Sequence, residues 1–109
     1  MTIATIKMTV PPEKRKEVLQ TLIALRGQIR LEYGCISCNI FVDVEAENII
    51  FFKEEWQTSE DLDTHLKSSY FSILIGAMTM LRDEPEIRFS TIATPAGAEA
   101  VTVARARKA

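Results

Sequence analysis

The segment Cys35–Trp56, CISCNIFVDVEAENIIFFKEEW, decides the fold, because two apolar stretches flank a short polar turn. In each stretch the side chains alternate between two faces, which is typical of β-strands. We predict strands at Cys35–Val44 and Ile49–Trp56, joined through residues 45–48 as a β-hairpin. Large apolar side chains occupy both faces of this hairpin, which predicts that both faces are covered.

Further strands and helices are predicted on both sides of the hairpin. In chain order the complete set is a strand at Thr2–Val10, a helix at Glu13–Leu31, the hairpin, two short helical pieces and a strand at Glu86–Ala93. The first short helix is capped by Thr58 or Ser59, and the second begins at Ser68 or Ser69. The order βαββαβ predicts an α+β fold, a ferredoxin-like antiparallel sheet with both helical regions on one face. We expect residues 1–95 to form this domain and residues 96–109 to be a C-terminal tail that is flexible or contacts a partner.

The composition limits the classes of partner. The chain has 109 residues, 47% of them hydrophobic, and a formal net charge of −2. This composition fits one globular domain and gives no broad attraction for nucleic acid. The first ten residues lack the pattern of a secretory signal, and no apolar run approaches the ~20 residues of a membrane span. We therefore expect a cytoplasmic protein that contacts neither membrane nor nucleic acid.

A sheet with helices on one face leaves its other face uncovered. Phe41, Ile49 and Phe51 are predicted to lie on that open face. Packing against a second copy would cover these side chains, which predicts a homodimer. We expect a mostly apolar cavity between the helices and the sheet.

His65 is the only histidine and the leading candidate for a catalytic residue. Its ordinary pKa of ~6.5 suits a general base that deprotonates a phenol-like substrate. The alternative is a structural histidine that ends a half-exposed helix or contacts the partner subunit. One histidine alone cannot build a metal site, and the sequence has no motif for a bound metal or nucleotide. No cofactor is therefore expected.

Other polar and aromatic residues complete the candidate site. Trp56, Tyr70 and Phe71 are predicted to wall a pocket for a flat aromatic ligand, or else to be ordinary core. Asn39 is a candidate to hold a substrate oxygen. Glu54 and Glu55 alternate across their strand, so only one of them would face the cavity.

Cys35 and Cys38 are expected to be structural thiols. In an extended strand, residues three apart lie ~10 Å from each other and point to opposite faces. That separation is too long for a disulfide. The β-structure that follows also argues against a redox pair of the thioredoxin type.

The region Tyr33–Phe71 resembles the antibiotic biosynthesis monooxygenase family. The residues that carry the resemblance are Gly34-Cys35, Glu54-Glu55-Trp56, Leu62, His65-Leu66-Lys67-Ser68 and Phe71. The resemblance implies a dimeric α+β barrel and, in its quinol-oxidising branch, a cofactor-independent oxidation of a small aromatic or quinol-like compound by O2. The haem-degrading branch fits poorly, because Ile75 stands where its proximal histidine is expected and His65 stands where it has tryptophan.

Two further functions remain open from the sequence. The chain is alternatively a dimeric, non-catalytic binding protein for a small hydrophobic metabolite. The second alternative, which the resemblance to the family implies, is an isomerase of a phosphorylated signal molecule. An isomerase of that kind needs converging cations, for which Lys7, Lys53 and Arg88 are the candidates.

Overall fold

The computed structural model describes residues 1–107. The elements in chain order are β1 (Thr2–Thr9), a 3-10 turn (Pro12–Lys14), α1 (Arg15–Ile29), β2 (Cys35–Val42), β3 (Ile49–Trp56), α2 (Ser59–Leu66), α3 (Ser69–Met78), β4 (Glu86–Thr91) and α4 (Ala98–Ala106). The four strands form one antiparallel sheet in the order β2-β3-β1-β4. This arrangement confirms the predicted ferredoxin-like α+β fold.

The helices begin where the sequence supplies side-chain caps. The Thr58 hydroxyl accepts a hydrogen bond from the Asp61 backbone N–H, and the Ser68 hydroxyl accepts one from Phe71. Each cap satisfies a backbone donor that the first turn of a helix leaves free. The first helix begins later than predicted because the Pro11-Pro12 pair favours a 3-10 turn before it.

The core lies between one face of the sheet and helices α1 to α3. On α1 the buried residues recur at spacings of three and four, as the sequence predicts; they are Val18, Leu22, Leu25 and Ile29. On β1 and β3 alternate residues are buried. The buried residues of β3 are Ile50, Phe52, Glu54 and Trp56, so a carboxylate lies on the inner face of the sheet.

A β-bulge corrects the prediction for the two cysteines. Cys35 pairs with Trp56 and Cys38 with Glu54. The two cysteines are three positions apart on β2 but their partners are only two apart on β3, because Ile36 is the extra residue of the bulge. Both thiols therefore face the helices. Both are free. Burial and the charges of Glu54 and Glu32 raise the pKa of Cys35 to about 11, so its thiol stays protonated at neutral pH.

The open face of the sheet is of mixed character. Across its middle row, Thr5 on β1 lies between Lys53 of β3 and Arg88 of β4. The adjacent row pairs Phe41 with Phe51. Half of the Phe41 surface is exposed. The predicted apolar side chains therefore share this face with cations.

The C-terminal tail contains helix α4. Every residue of α4 is exposed. Residues 108–109 of the predicted tail lie outside the described residues. Of the helices in residues 1–107, none has both the length and the apolar character that crossing a bilayer requires.

Candidate functional site

His65 lies in the interior, on the inner side of α2. The Thr58 cap starts α2, and Leu62 and His65, three residues apart, are its two buried residues. This spacing directs both side chains toward the same neighbours. The His65 side chain has no solvent exposure. It therefore needs partners within the protein for both ring nitrogens.

Two carboxylates supply these partners. Nδ1 of His65 lies 2.8 Å from Oε2 of Glu32, and Nε2 lies 2.9 Å from Oε2 of Glu54. The side chain of Glu54 is buried, whereas 19% of the Glu32 side chain is exposed. Glu32 is therefore the one end of the Glu32–His65–Glu54 cluster that reaches solvent.

This geometry favours the charged form of His65. Ionised carboxylates only accept hydrogen bonds, so an imidazole between two of them is satisfied when both nitrogens donate. Burial by itself lowers the pKa of His65, but the hydrogen bond to Glu54 and the negative charges of Glu54 and Glu32 outweigh it and raise the pKa above its ordinary value. We infer an imidazolium that bridges two carboxylates.

Aromatic rings enclose the imidazole. The Trp56 ring stacks on it with centroids 4.7 Å apart, and the Phe71 ring meets it edge-on at 5.5 Å. Trp56 also donates its indole N–H to Oε1 of Glu54 at 3.1 Å. A tryptophan face attracts a cation, so the stacking stabilises the same charged form of His65. The two aromatic rings thus support the cluster.

The loop between α1 and β2 places Glu32. Backbone hydrogen bonds continue the turn beyond α1, with the Glu32 N–H donating to the Ile29 carbonyl. Gly34 then takes φ of 83°, and a Cβ at that position would collide with the Asp61 side chain of α2. Glycine is the residue that tolerates this conformation. The loop therefore packs directly against the helix that carries His65.

The structure brings some of the predicted site residues together and separates others. Trp56 and Phe71 contact His65, as described above. Tyr70 points elsewhere and donates its hydroxyl to Oε1 of Gln28 at 3.1 Å. Asn39 is held at the sheet edge, where its side-chain oxygen accepts a hydrogen bond from Arg30 at 2.9 Å. The geometry therefore gives His65 a site of two carboxylates and two aromatic rings.

The cations proposed for an isomerase lie away from this site. Lys7 and Lys53 alternate with buried residues of β1 and β3, so their side chains lie on the open face of the sheet. Arg88 pairs with Thr5, which lies on the same face. His65 lies on the helix side of the sheet. An anionic group bound by these three cations would therefore be separated from His65 by the sheet.

The sequence pattern marks one of the two carboxylates of the cluster as buried but gives no sign of the other. Glu54 falls at every second position with Phe52 and Trp56, so the pattern indicates that it faces the core with them. A buried carboxylate needs a hydrogen-bond donor as a partner. Glu32 stands 33 residues before His65 in a loop, and no local pattern marks it.

Within residues 1–107, no group of three His, Cys, Asp or Glu side chains is arranged to hold a metal ion.

The raised pKa of His65 predicts how stability depends on pH. The folded state holds this proton more tightly than the unfolded state, so the stabilisation is complete below the unfolded pKa of ~6.5 and is lost as pH rises through the folded pKa. Urea unfolding of wild type and His65→Gln from pH 6 to 9, at one protein concentration, measures it. The difference in free energy of unfolding should shrink as pH rises. A difference that grows with pH contradicts the assignment.

Comparison with known proteins agrees with the fold. Residues 1–73 match the family model described as "Antibiotic biosynthesis monooxygenase". An uncharacterized protein of Synechocystis is 31% identical over 85 residues, which cover 77% of this chain. The chain spans 58% of the length of that relative.

Solved structures show the same fold. A protein from Deinococcus radiodurans, described as a putative antibiotic biosynthesis monooxygenase, aligns with a TM-score of 0.83 at 19% identity, over 89% of this chain and 97% of its own. A conserved protein from Methanosarcina mazei aligns with a TM-score of 0.76 at 28% identity, over 83% of this chain and 91% of its own. The matched region runs from β1 into the first half of α3 and includes the residues of the Glu32–His65–Glu54 cluster. This chain belongs to the antibiotic biosynthesis monooxygenase family.

Proposed function

We propose that the protein is a cofactor-independent monooxygenase that oxidises a small aromatic or quinol-like compound with O2. The observation that carries this proposal is the Glu32–His65–Glu54 cluster, a buried histidine between two carboxylates of which one reaches solvent. Family membership makes oxygen chemistry the first reaction to test. A positioned carboxylate supplies the base that such a reaction needs.

The geometry assigns different roles to the members of the cluster. Both His65 nitrogens are engaged, so the base that meets substrate in this proposal is Glu32, with His65 as the residue that positions it. Oε2 of Glu32 is hydrogen-bonded to His65, and Oε1 is the oxygen that remains for a substrate hydroxyl. Glu54 and Trp56 then hold His65 from the other side.

The proposed reaction balances without a cofactor. The substrate hydroxyl gives its proton to Glu32, and the resulting electron-rich anion passes an electron to O2. Recombination of the two radicals forms a carbon–oxygen bond and gives a peroxide anion, which takes the proton back from Glu32. Loss of water from this hydroperoxide then breaks the O–O bond and the C–H bond at the oxygenated carbon. One oxygen atom stays in the product and the other leaves as water, with all four electrons supplied by the substrate. The protein contributes proton transfer and an environment from which water is excluded.

Oxygen consumption tests the proposal. Purified protein with menadiol, the reduced form of menadione, should consume O2 faster than menadiol does alone. His65→Ala should lose this excess, because Glu32 then lacks the donor that holds it. A rate equal to autoxidation, or an unchanged rate in His65→Ala, would overturn the proposal.

We also propose that two copies pack through the open faces of their sheets. Phe41 and Phe51 are neighbours there; half of the Phe41 surface is exposed, and Phe51 is half-buried. A second copy would remove these side chains from water, which is favourable at about 25 cal/mol per Å². Packing of this kind would form the homodimer that the sequence predicts.

A charge on this face should therefore disrupt the dimer. We expect wild type to sediment as a dimer at micromolar concentration and Phe51→Lys to shift toward monomer, because a buried unpaired charge is costly. Val44→Lys, at a fully exposed turn position, is the matched control and should leave the dimer intact. Monomeric wild-type protein would contradict the proposed packing.

One observation favours the non-catalytic alternative. Within residues 1–107, every buried side-chain nitrogen and oxygen has a hydrogen-bond partner, so the cluster is complete without a ligand. In that case the protein would bind a hydrophobic metabolite and the cluster would serve stability alone. A ligand that raises the unfolding temperature without being turned over would favour this function.

A further inference from the structure

Helix α4 presents an apolar side that its own chain leaves exposed. Every residue of α4 is exposed, including Val101 and Val103. Four apolar side chains follow the helical spacing and share one side of α4; they are Ala100, Val101, Val103 and Ala104. Isolated helices shorter than about 12–15 residues are only marginally stable in water, and α4 has nine residues. The helix therefore needs a surface on which to pack.

The extended shape of the chain fits a helix that projects from the domain. The radius of gyration of the Cα atoms is 16.3 Å, and the longest dimension is 52 Å. A compact chain of this length would have a radius of gyration of about 13 Å. A projecting helix of this kind is placed to reach a second copy of the chain.

A groove of about 620 Å³ between α1 and α3 has the length of such a helix. Along α1 its lining runs from Glu17 to Gln28, which is ~16 Å at the rise of a helix, and α4 is ~13 Å long. Ala24 is small, so a helix in the groove could approach α1 closely. Half of the Ile73 surface is exposed on the α3 wall. Within residues 1–107, no side chain of α4 lines this groove.

The charges of the tail and of the domain are complementary. Residues 1–95 hold ten Lys and Arg against fourteen Asp and Glu, a formal charge of −4, whereas residues 96–109 hold three against one, a formal charge of +2. Glu17 is the one charged side chain among the described residues that line the groove, and exposed Lys14 lies 3.7 Å from it. The last turn of α4 carries Arg105. The charges therefore favour placing the C-terminal end of α4 at Glu17.

We propose that α4 of one copy docks in the α1–α3 groove of a second copy. Its apolar side packs against Ala24 and Ile73, and Arg105 lies near Glu17. The exchange is reciprocal when a twofold axis relates the two copies. The groove lies on the helix side of the sheet, so this contact is separate from the packing of the open faces and independent of the oxygenase reaction.

Disulfide cross-linking between two variants of the full chain tests the contact. Ala24→Cys protein is mixed with Ala104→Cys protein that carries a mass tag, and gel electrophoresis after mild oxidation detects the linked heterodimer. The heterodimer should form because the two positions face each other in the docked arrangement. Wild type treated in the same way gives the background from the native thiols of Cys35 and Cys38.

Ile23→Cys is the matched control, since Ile23 is an exposed residue of α1 outside the groove. It should link to Ala104→Cys no more than the background. Adding Glu17→Arg to the Ala24→Cys copy should slow linkage about twofold to fivefold, the effect of an exposed ion pair, and adding Arg105→Glu to the other copy should restore it.

Two results would overturn the proposal. One is linkage at Ala24→Cys that does not exceed linkage at Ile23→Cys. The other comes from a single chain that carries both Ala24→Cys and Ala104→Cys: linkage within the chain, without linked dimers, would show that α4 docks on its own domain. Linked dimers of this double variant support docking on a second copy.

Discussion

Replacing Glu54 with alanine is expected to lower the free energy of unfolding by about 3–5 kcal/mol, the usual cost of removing one partner of a buried ion pair. Glu54 is 1% exposed and accepts hydrogen bonds from both His65 and Trp56. Its removal leaves a buried charge and a buried indole N–H without partners. Denaturant unfolding at neutral pH and fixed protein concentration measures the loss.

The adjacent Glu55 provides the control for this experiment. It lies on the open face, where it accepts a hydrogen bond from Ser37. Glu55→Ala should cost about 1 kcal/mol, the typical value of one hydrogen bond. Equal losses in the two alanine variants would mean that His65 does not depend on a buried carboxylate.

Replacing Glu32 with glutamine is expected to reduce kcat for oxidation of menadiol by about 10²–10⁴-fold, the usual contribution of a general base. Glutamine keeps the size and the hydrogen-bonding oxygen of the side chain but removes its capacity to take a proton. Glu32 is also partly exposed, so stability should fall less than in Glu54→Ala. Oxygen consumption gives the rate, and circular dichroism shows whether the variant is folded.

Glu45→Gln, in the exposed turn of the hairpin, is the matched control and should retain the wild-type rate. Glu32→Asp should recover part of the activity, because it restores a carboxylate at a shorter reach. Full activity in Glu32→Gln would show that another group removes the proton.

The sequence predicts the elements well because their signals are local. Alternation specifies β1 and β3, and the hydroxyls of Thr58 and Ser68 mark the starts of α2 and α3. The bulge in β2 has no comparable signal. Because of the bulge, Cys35 points to the face opposite to the one that strict alternation predicts, so both thiols face the helices.

The site is only partly visible in the sequence. His65 stands out as the one histidine, and the alternation around Glu54 places that carboxylate in the core. Glu32 becomes the partner of His65 through a contact between segments 33 residues apart, which the positive φ of Gly34 makes possible. Asn39 is a reasonable ligand for a substrate oxygen by residue type, but Arg30 occupies its side-chain oxygen at the sheet edge.

The single histidine allows a direct test of its protonation. Nitrogen-15 NMR of the labelled protein observes both ring nitrogens of His65 without overlap from other histidines. The titration midpoint should lie above the ordinary ~6.5 of histidine, so both nitrogens should carry protons at pH 6. A ring that is neutral at pH 6, with one protonated nitrogen and a midpoint below 6.5, would contradict the bridging imidazolium on which this account depends.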